Sequence, residues 1–549
     1  MTDTPIINDT TERIELTYRT TGAPIGAPEY TVQLDYLVIA CEPNALRDRC
    51  DYSPLEKTIF NKFENFTFHT TLLKVKVNQE NPAHYGVIFA PSILETMSGK
   101  VYGYRNETAK ALGTTDKNAR GTAKAQPKAN TIDPAVAAAN ELAYNYVTVY
   151  QIVRTKDAPS DPSKFKQWID ELMRQGLSDD VNWCYGADFE ILDHVTTPYF
   201  DHFTDADLKI YMPWKYLGIQ GQRNTIFVHA STCFESVLDI YQYIQMLLTD
   251  DANKIGLPTD KTAAIGILGA GPSGLMFGSV LRDMEYTNVT IYEKSGRIGG
   301  KTHTIKKLQM RKDGSELNVI CELGTCYLSP AYDHFVKNMS RFRQGNDRIG
   351  FGGAGGMFRG IMTKDQLGPD PNPHGVIPYG AYIIRKAAME LGVPDAPPQK
   401  IISIMERDLT RYIALREDLL GHHTPMPMVP PRKLFNEKSS QTFLDFLSEQ
   451  RPDGGNLTSL IGLLQYGYSV QGYGTLKNIP AYYGLIWVST RVAQAIIDAF
   501  KDPKINVVTA WSEGWGNLWE QMATPRPDTG LTPLNVQFSV DTVRIIRPS

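Results

Sequence analysis

Apolar residues bunch together in "LDYLVIACEP" (34–43) and halt at a proline, which predicts a short buried strand. The next stretch, "SPLEKTIFNKF", changes to helical spacing, with Ser53 as N-cap and Pro54 in the first turn. "FHTTLLKVKV" and "YNYVTVYQIV" (144–153) predict strands, and "DPSKFKQWIDELMRQGL" predicts a second capped helix. "RNTIFVHASTCFESVLDIYQYIQMLL" (223–248) reads as strand, turn and amphipathic helix, with Val237, Leu238, Tyr241, Ile244 and Leu248 as the buried face. Residues 381–420 and 440–500 carry mostly helical spacing. Four stretches lack a pattern. Residues 1–20 are polar and predict loop or a ragged strand; 104–130 are poor in large apolar groups and predict a surface loop or insertion. Residues 249–263 predict a linker, and 348–380 hold too much Gly and Pro for a continuous element.

At 549 residues the chain is too long for one core, so two or more domains are expected. With 42% hydrophobic and 21% charged residues, the composition is that of a soluble globular protein. A net charge of −4 asks for neither nucleic acid nor an anionic membrane. No apolar run approaches the roughly 20 residues of a bilayer span, and no signal-peptide pattern opens the sequence, so a cytoplasmic protein is expected. Six cysteines in a chain this long make no disulfide framework. Cys321 and Cys326 are the closest pair; without CxxC or a histidine pair at metal spacing, buried thiols are expected and no metal. A homo-oligomer is left open.

"AAIGILGAGPSGLMFGSVLRDMEYTNVTIYEKSG" supplies the chemistry. A short strand, Ala264 to Leu268, leads into Gly269-x-Gly271-x-x-Gly274, followed by a helix and a second strand that ends in Glu293. Gly269 permits the tight turn, Gly271 lets backbone approach a pyrophosphate, and Gly274 lets helix pack on strand. Pro272 and Ser273 open a helix whose N–H groups face phosphates, and Glu293 is spaced to hold ribose hydroxyls. An acid there suits an adenosine ribose without a 2′-phosphate, leaving NAD or FAD.

Immediately after, "EKSGRIGGKTHTI" brings Lys294, Arg297, Gly299, Gly300 and Lys301. This resembles the R-x-G-G-[RK] element of the flavin-dependent amine oxidase superfamily, and "CELGTCYLSPAYD" resembles its acid-x-Gly segment, which implies FAD beside Gly324 and Thr325. "YGYSVQGYGTLKNIPAYYGLIW", "WSEGWGNLWEQMA" and "VDTVRIIRP" are similar to segments of the polyenoic fatty acid isomerase branch; the last implies Val543 against adenine. The segments that follow these in that branch stand at the start of this sequence, and "YFDHFT" with "GIQGQRNTIFVHASTC" then matches its end. Residues 264–549 followed by 1–248 reproduce the branch's order. The resemblance implies a circularly permuted chain, the rival being two fused half-proteins that complete each other between chains.

The implied fold is α/β: a glutathione-reductase-like, Rossmann-like FAD domain with a mixed-sheet substrate domain and a helical region. In rotated order the FAD domain takes 1–60, 205–248, 264–330 and 506–549; the substrate sheet takes 61–204, the helical region 331–505, and 249–263 is the linker. The last helix would point its N-terminus, near Phe234, Glu235, Ser236 and Val237, at the flavin. His229 and Ala230 replace the branch's Gly-acid pair, and Glu235 stands where a small residue is usual; both also suit purely structural roles. Tyr466, Tyr468, Tyr473, Tyr482 and Tyr483 either line an acyl tunnel or are plain core. Arg223 either meets a carboxylate or phosphate or is a structural ion pair. The implied activity is double-bond isomerisation of a free polyunsaturated fatty acid to a conjugated diene, by hydride removal and return, with no catalytic side chain singled out. An amine or L-amino-acid oxidase, and a non-catalytic scaffold, are the alternatives.

Overall fold

The computed structural model describes residues 13–24, 26–76, 86–90, 98–115, 142, 144–181, 188–249, 255–311, 313–350, 359–362, 376–421, 441–452, 455–502 and 505–548. Five strands form a parallel sheet in the order Asn535–Gln537, Val289–Tyr292, Ile265–Leu268, Tyr36–Ile39 and Thr225–Phe227. The central three strands of this order are short apolar runs. Leu37, Val38, Ile39 and Ile267 have no exposed surface, as a sheet covered on both faces requires. Helices Pro272–Asp283 and Val237–Thr249 pack against one another beside it. Ser53 forms a full capping box with Glu56 at helix Pro54–Phe60, with Pro54 in the first turn.

The two ends of the chain meet. Val540–Ile546 pairs antiparallel with Ile14–Thr20, which pairs with Tyr30–Leu34. Of the loop or ragged strand expected over 1–20, the described part is a strand from Ile14 whose register against Val540–Ile546 shifts between Thr17 and Tyr18; Ile14 and Leu16 are fully buried. Arg547 fastens this corner, donating to both oxygens of Glu56 at 2.8 Å and to Asp51. Arg223 also donates to Asp51 and to the carbonyls of Arg547 and Pro548, which makes it a structural residue.

A seven-stranded mixed sheet stands apart from the parallel one. Its order is Val376–Pro378, Arg359–Met362, Val87–Phe89, Ser98–Asn106, Tyr144–Arg154, Glu64–Lys76, Phe189–His202. Helices between Tyr379 and Lys501 supply much of the remaining packing. Residues 104–115 overturn the expected surface loop: they end strand Ser98–Asn106 and form helix Glu107–Thr115. Large apolar groups are not needed there because Arg105 and Lys110 both pair with the Glu107 carboxylate in the interior, at 1%, 6% and 0% exposure. Residues 116–130 lie outside the described residues, as do 250–254 of the expected linker. Its remainder is anchored, with Ile255 buried and its carbonyl accepting from the Tyr36 hydroxyl. Within 348–380 only Arg348–Gly350, Arg359–Met362, Val376–Pro378 and the first turn of helix Tyr379–Glu390 are described.

Candidate functional site

Parallel register brings the carboxyl ends of four strands to one edge. Leu268 pairs with Ile39 and Tyr292, and Val228 N–H donates to the Ile39 carbonyl. Glu42, the Gly269 turn, Glu293 and His229 therefore gather where ligands bind open α/β sheets. Gly269 has φ +105°, which disfavours a side chain. A Cβ on Gly274 would stand 2.0 Å from the Gly269 carbonyl oxygen, so only glycine lets this helix sit on its strand. Helix Pro272–Asp283 starts at Gly271 with no side-chain cap, and Gly271, Pro272 and Ser273 line the cleft. Glu293 Oε2 accepts from Ala270 N–H at 2.7 Å and its Oε1 from Ser295, which holds the acid against the glycine turn.

A cavity of about 1080 Å³ opens from this edge. From the glycine turn its wall takes Gly269, Gly271, Pro272, Ser273 and Glu293. Gly300, Lys301, Gly324 and Thr325 continue it, and a Cβ on Gly324 would stand 1.8 Å from the Lys301 carbonyl oxygen. His229, Glu235, Ser236 and Val237 also line it, as do Tyr466 and Tyr473, the Tyr473 hydroxyl donating to the Glu235 carbonyl at 2.9 Å.

Other sequence candidates sit off this wall. Gly274 is beneath the turn, and Gly299 (φ +98°) shapes the loop against Thr302. Arg297 spends its guanidinium on the carbonyls of its own loop, Ile298 and Gly300. Lys294 is 66% exposed beside Asp541, and Val543 is half-buried in the terminal strand. Tyr468 and Tyr482 are core: Tyr468 donates to the Gly484 carbonyl, and Tyr482 packs edge-on to Tyr483, whose hydroxyl accepts from Phe203 N–H.

Two acids that sequence reading missed complete the site. Lys301 Nζ lies 2.9 Å from both oxygens of Glu235, which also accepts from Phe200 N–H at 3.0 Å. With its side chain 9% exposed, Glu235 is no solvated first-turn acid. His229 accepts from Ser231 N–H, capping the turn Ala230–Thr232, and stands 3.7 Å from Asp201. Burial, with Lys301 beside it, keeps this imidazole neutral. The Asp201 Oδ2 beside it is buried without a hydrogen-bond partner. Burial raises Asp201 to about 6 and Glu42 to about 7, with acid-acid repulsion adding to both. Both acids lie in the segments "LDYLVIACEP" and "YFDHFT", where nothing local marks them; only the fold brings residues 42, 201 and 235 around one lysine.

The glycine cradle, the uncapped helix start and Glu293 fit the ribose and pyrophosphate of an adenine dinucleotide. The acids around Lys301 set a pH condition. Both acids have raised pKa values in the folded state, so folding favours their protonated forms. Their contribution to stability is fully present below the ordinary carboxylate range and is lost as pH rises through about 6 to 7. Urea unfolding of the cofactor-free protein is expected to show this decline, and Glu42→Gln to flatten it; an unchanged slope in the variant would refute the assignment.

Residues 267–342 match the family model of an NAD(P)-binding Rossmann-like domain. No curated protein matches the chain. Among solved structures, a CLA-producing fatty acid isomerase from P. acnes is similar over 52% of this chain and 53% of its own, at 21% identity and TM-score 0.32. Putrescine oxidase bound to putrescine is similar over 50% of each chain, at 17% identity and TM-score 0.31. A RAB GDI from Plasmodium falciparum is similar over 50% of this chain and 57% of its own, at 14% identity and TM-score 0.26. The similarity thus spans about half the length of each of these structures. The chain is a mixed α/β protein that carries a Rossmann-like domain in residues 267–342.

Proposed function

We propose that the chain is an FAD-dependent isomerase that converts a free polyunsaturated fatty acid to a conjugated diene. The observation that carries this reading is the continuity of the cavity. One space is bounded by the glycine turn and the start of helix Val237–Thr249, and also by Phe68, Phe89, Leu464, Val488 and Ile496. Such a space suits a dinucleotide at one end and a long apolar chain at the other. The chemistry a bound FAD would supply is removal of a hydride from a bis-allylic carbon and its return to the pentadienyl system. Gly269, Gly271 and the helix start at Pro272 would hold the pyrophosphate, and Glu293 the adenosine ribose. The start of Val237–Thr249 would favour negative charge on the ring system. The apolar wall would hold the acyl chain straight and exclude water and oxygen.

The same proposal reads the chain as circularly permuted, with a linker near 249–263 and FAD contacts drawn from residues on both sides of it. The antiparallel pairing of Ile14–Thr20 with Val540–Ile546 supports it, as does the central pairing of Tyr36–Ile39 with Ile265–Leu268. The protein reconstituted with FAD and given linoleate without oxygen is expected to develop the ultraviolet band of a conjugated diene. Hydrogen peroxide released from amines or L-amino acids in air, with no diene from linoleate, would select an oxidase instead.

A further inference from the structure

Arg105 is a guanidinium in the cavity wall, 1% exposed, on strand Ser98–Asn106. Its Nε and Nη2 donate to Glu107 Oε1 at 2.8 and 2.6 Å, and Nη2 also donates to the Glu322 carbonyl. The rings of Tyr150 and Tyr327 lie 5.3 and 5.7 Å from it, and the Tyr327 hydroxyl hydrogen-bonds the same guanidinium.

Two features of this wall are unbalanced. The first is charge. Arg105 and Lys110 face Glu107, whose oxygens they share with Thr148, and Glu322, which is satisfied elsewhere by Thr304 and the Trp515 N–H. Burial pushes Glu322 up to about 7, so near neutrality two cations are opposed by one full carboxylate and one that is partly protonated. An excess buried cation is costly unless an anion meets it. The second is a hydrogen bond. The Tyr150 hydroxyl is buried and has no partner, although Tyr150 lines the cavity.

We propose that Arg105, Tyr150 and Tyr327 form an anion subsite that takes the carboxylate of an elongated apolar acid. This deepens the acyl-chain reading above and rests on it. A carboxylate there accepts from the Tyr150 hydroxyl and from the Arg105 corner, cancels the excess charge, and fixes which carbon of the chain reaches the reacting end. Phe68, Phe89 and Tyr102, on the same wall, flank the first methylenes. The carboxylate of an L-amino acid has the same head chemistry without the long tail.

The test is calorimetric titration of the FAD-reconstituted full chain with decanoate, methyl decanoate and L-leucine. Decanoate is expected to bind about ten- to a hundredfold tighter than its ester, the range of a charge-assisted hydrogen bond. Tyr150→Phe should shrink that ratio several-fold and Arg105→Gln should bring it near one, with decanoate losing more affinity than the ester in both. Should Arg105→Gln fail to fold because Glu107 keeps only Lys110 and Thr148 as partners, Tyr150→Phe carries the test, since it deletes only a hydroxyl without a partner. Equal affinity for acid and ester, or a ratio untouched by the soluble variants, overturns the subsite. If linoleate still yields the diene in that case, the proposed function survives. Binding of L-leucine with neither decanoate nor ester overturns both.

Discussion

Gly274→Ala is expected to abolish dinucleotide binding and to cost at least about 3 kcal/mol of stability, the upper end of what overpacking usually costs. The added Cβ would stand 2.0 Å from the Gly269 carbonyl oxygen and 3.3 Å from Ile267. Backbone cannot step aside as a side chain does, so the helix must lift from the strand and the phosphate-facing N–H groups go with it. Gly278→Ala is the control. One turn later on the same helix, its Cβ would meet only the tips of Ile291, Ile267 and Leu534, at 3.1 Å or more. Alanine's helix propensity, favourable by about 1 kcal/mol over glycine, offsets that crowding. Thermal unfolding and nucleotide content of the two variants should diverge sharply; equal behaviour would mean that the turn and helix are not in this contact.

The second large effect lies at a position where tolerance is the usual rule. Chain ends seldom matter to stability, yet Arg547→Met is expected to cost about 3–5 kcal/mol, the penalty for stranding a buried charge. Arg547 has a side chain with no exposed surface, and Glu56 is 3% exposed. Burial alone would raise the Glu56 carboxyl, but hydrogen bonds and charge from Arg547 outweigh it and hold it below its ordinary value. In the protein as it stands this pair stabilises above the carboxylate range and less as pH falls through it. In the variant Glu56 must be buried unpaired or take up a proton, so the loss should shrink in acid. Urea unfolding at neutral and acidic pH reads both; a loss under about 1 kcal/mol would mean that the terminal strand is not fastened to residues 51–56.

What the sequence made legible follows from how local each signal is. The glycine turn, the Ser53 N-cap and the buried strand expected within 34–43 are each written within a dozen residues, and the structure has the turn after Leu268, the cap at Ser53 and the strand at Tyr36–Ile39. The meeting of the chain's two ends was visible only through resemblance, because pairing of Ile14–Thr20 with Val540–Ile546 leaves no local mark. Glu42 and Asp201 escaped notice for the same reason: each is a lone acid in its own segment and becomes part of a cluster only through the fold. The run at 104–115 misled because its polar composition resembles a surface loop, while Arg105 and Lys110 are in fact buried and paired with Glu107. Spacing likewise could not divide the tyrosines; Tyr473 lines the cavity while Tyr468, five residues earlier, faces the core.

The central claim is that residues on both sides of the proposed linker grip one flavin between the Gly269 turn and the helix start near Val237. Release and identification of the nucleotide from the purified, FAD-saturated and dialysed chain tests it most directly. The account predicts FAD, one for each chain, and its loss in Gly274→Ala. Retention of a nicotinamide dinucleotide instead, or of no nucleotide at all, would contradict it.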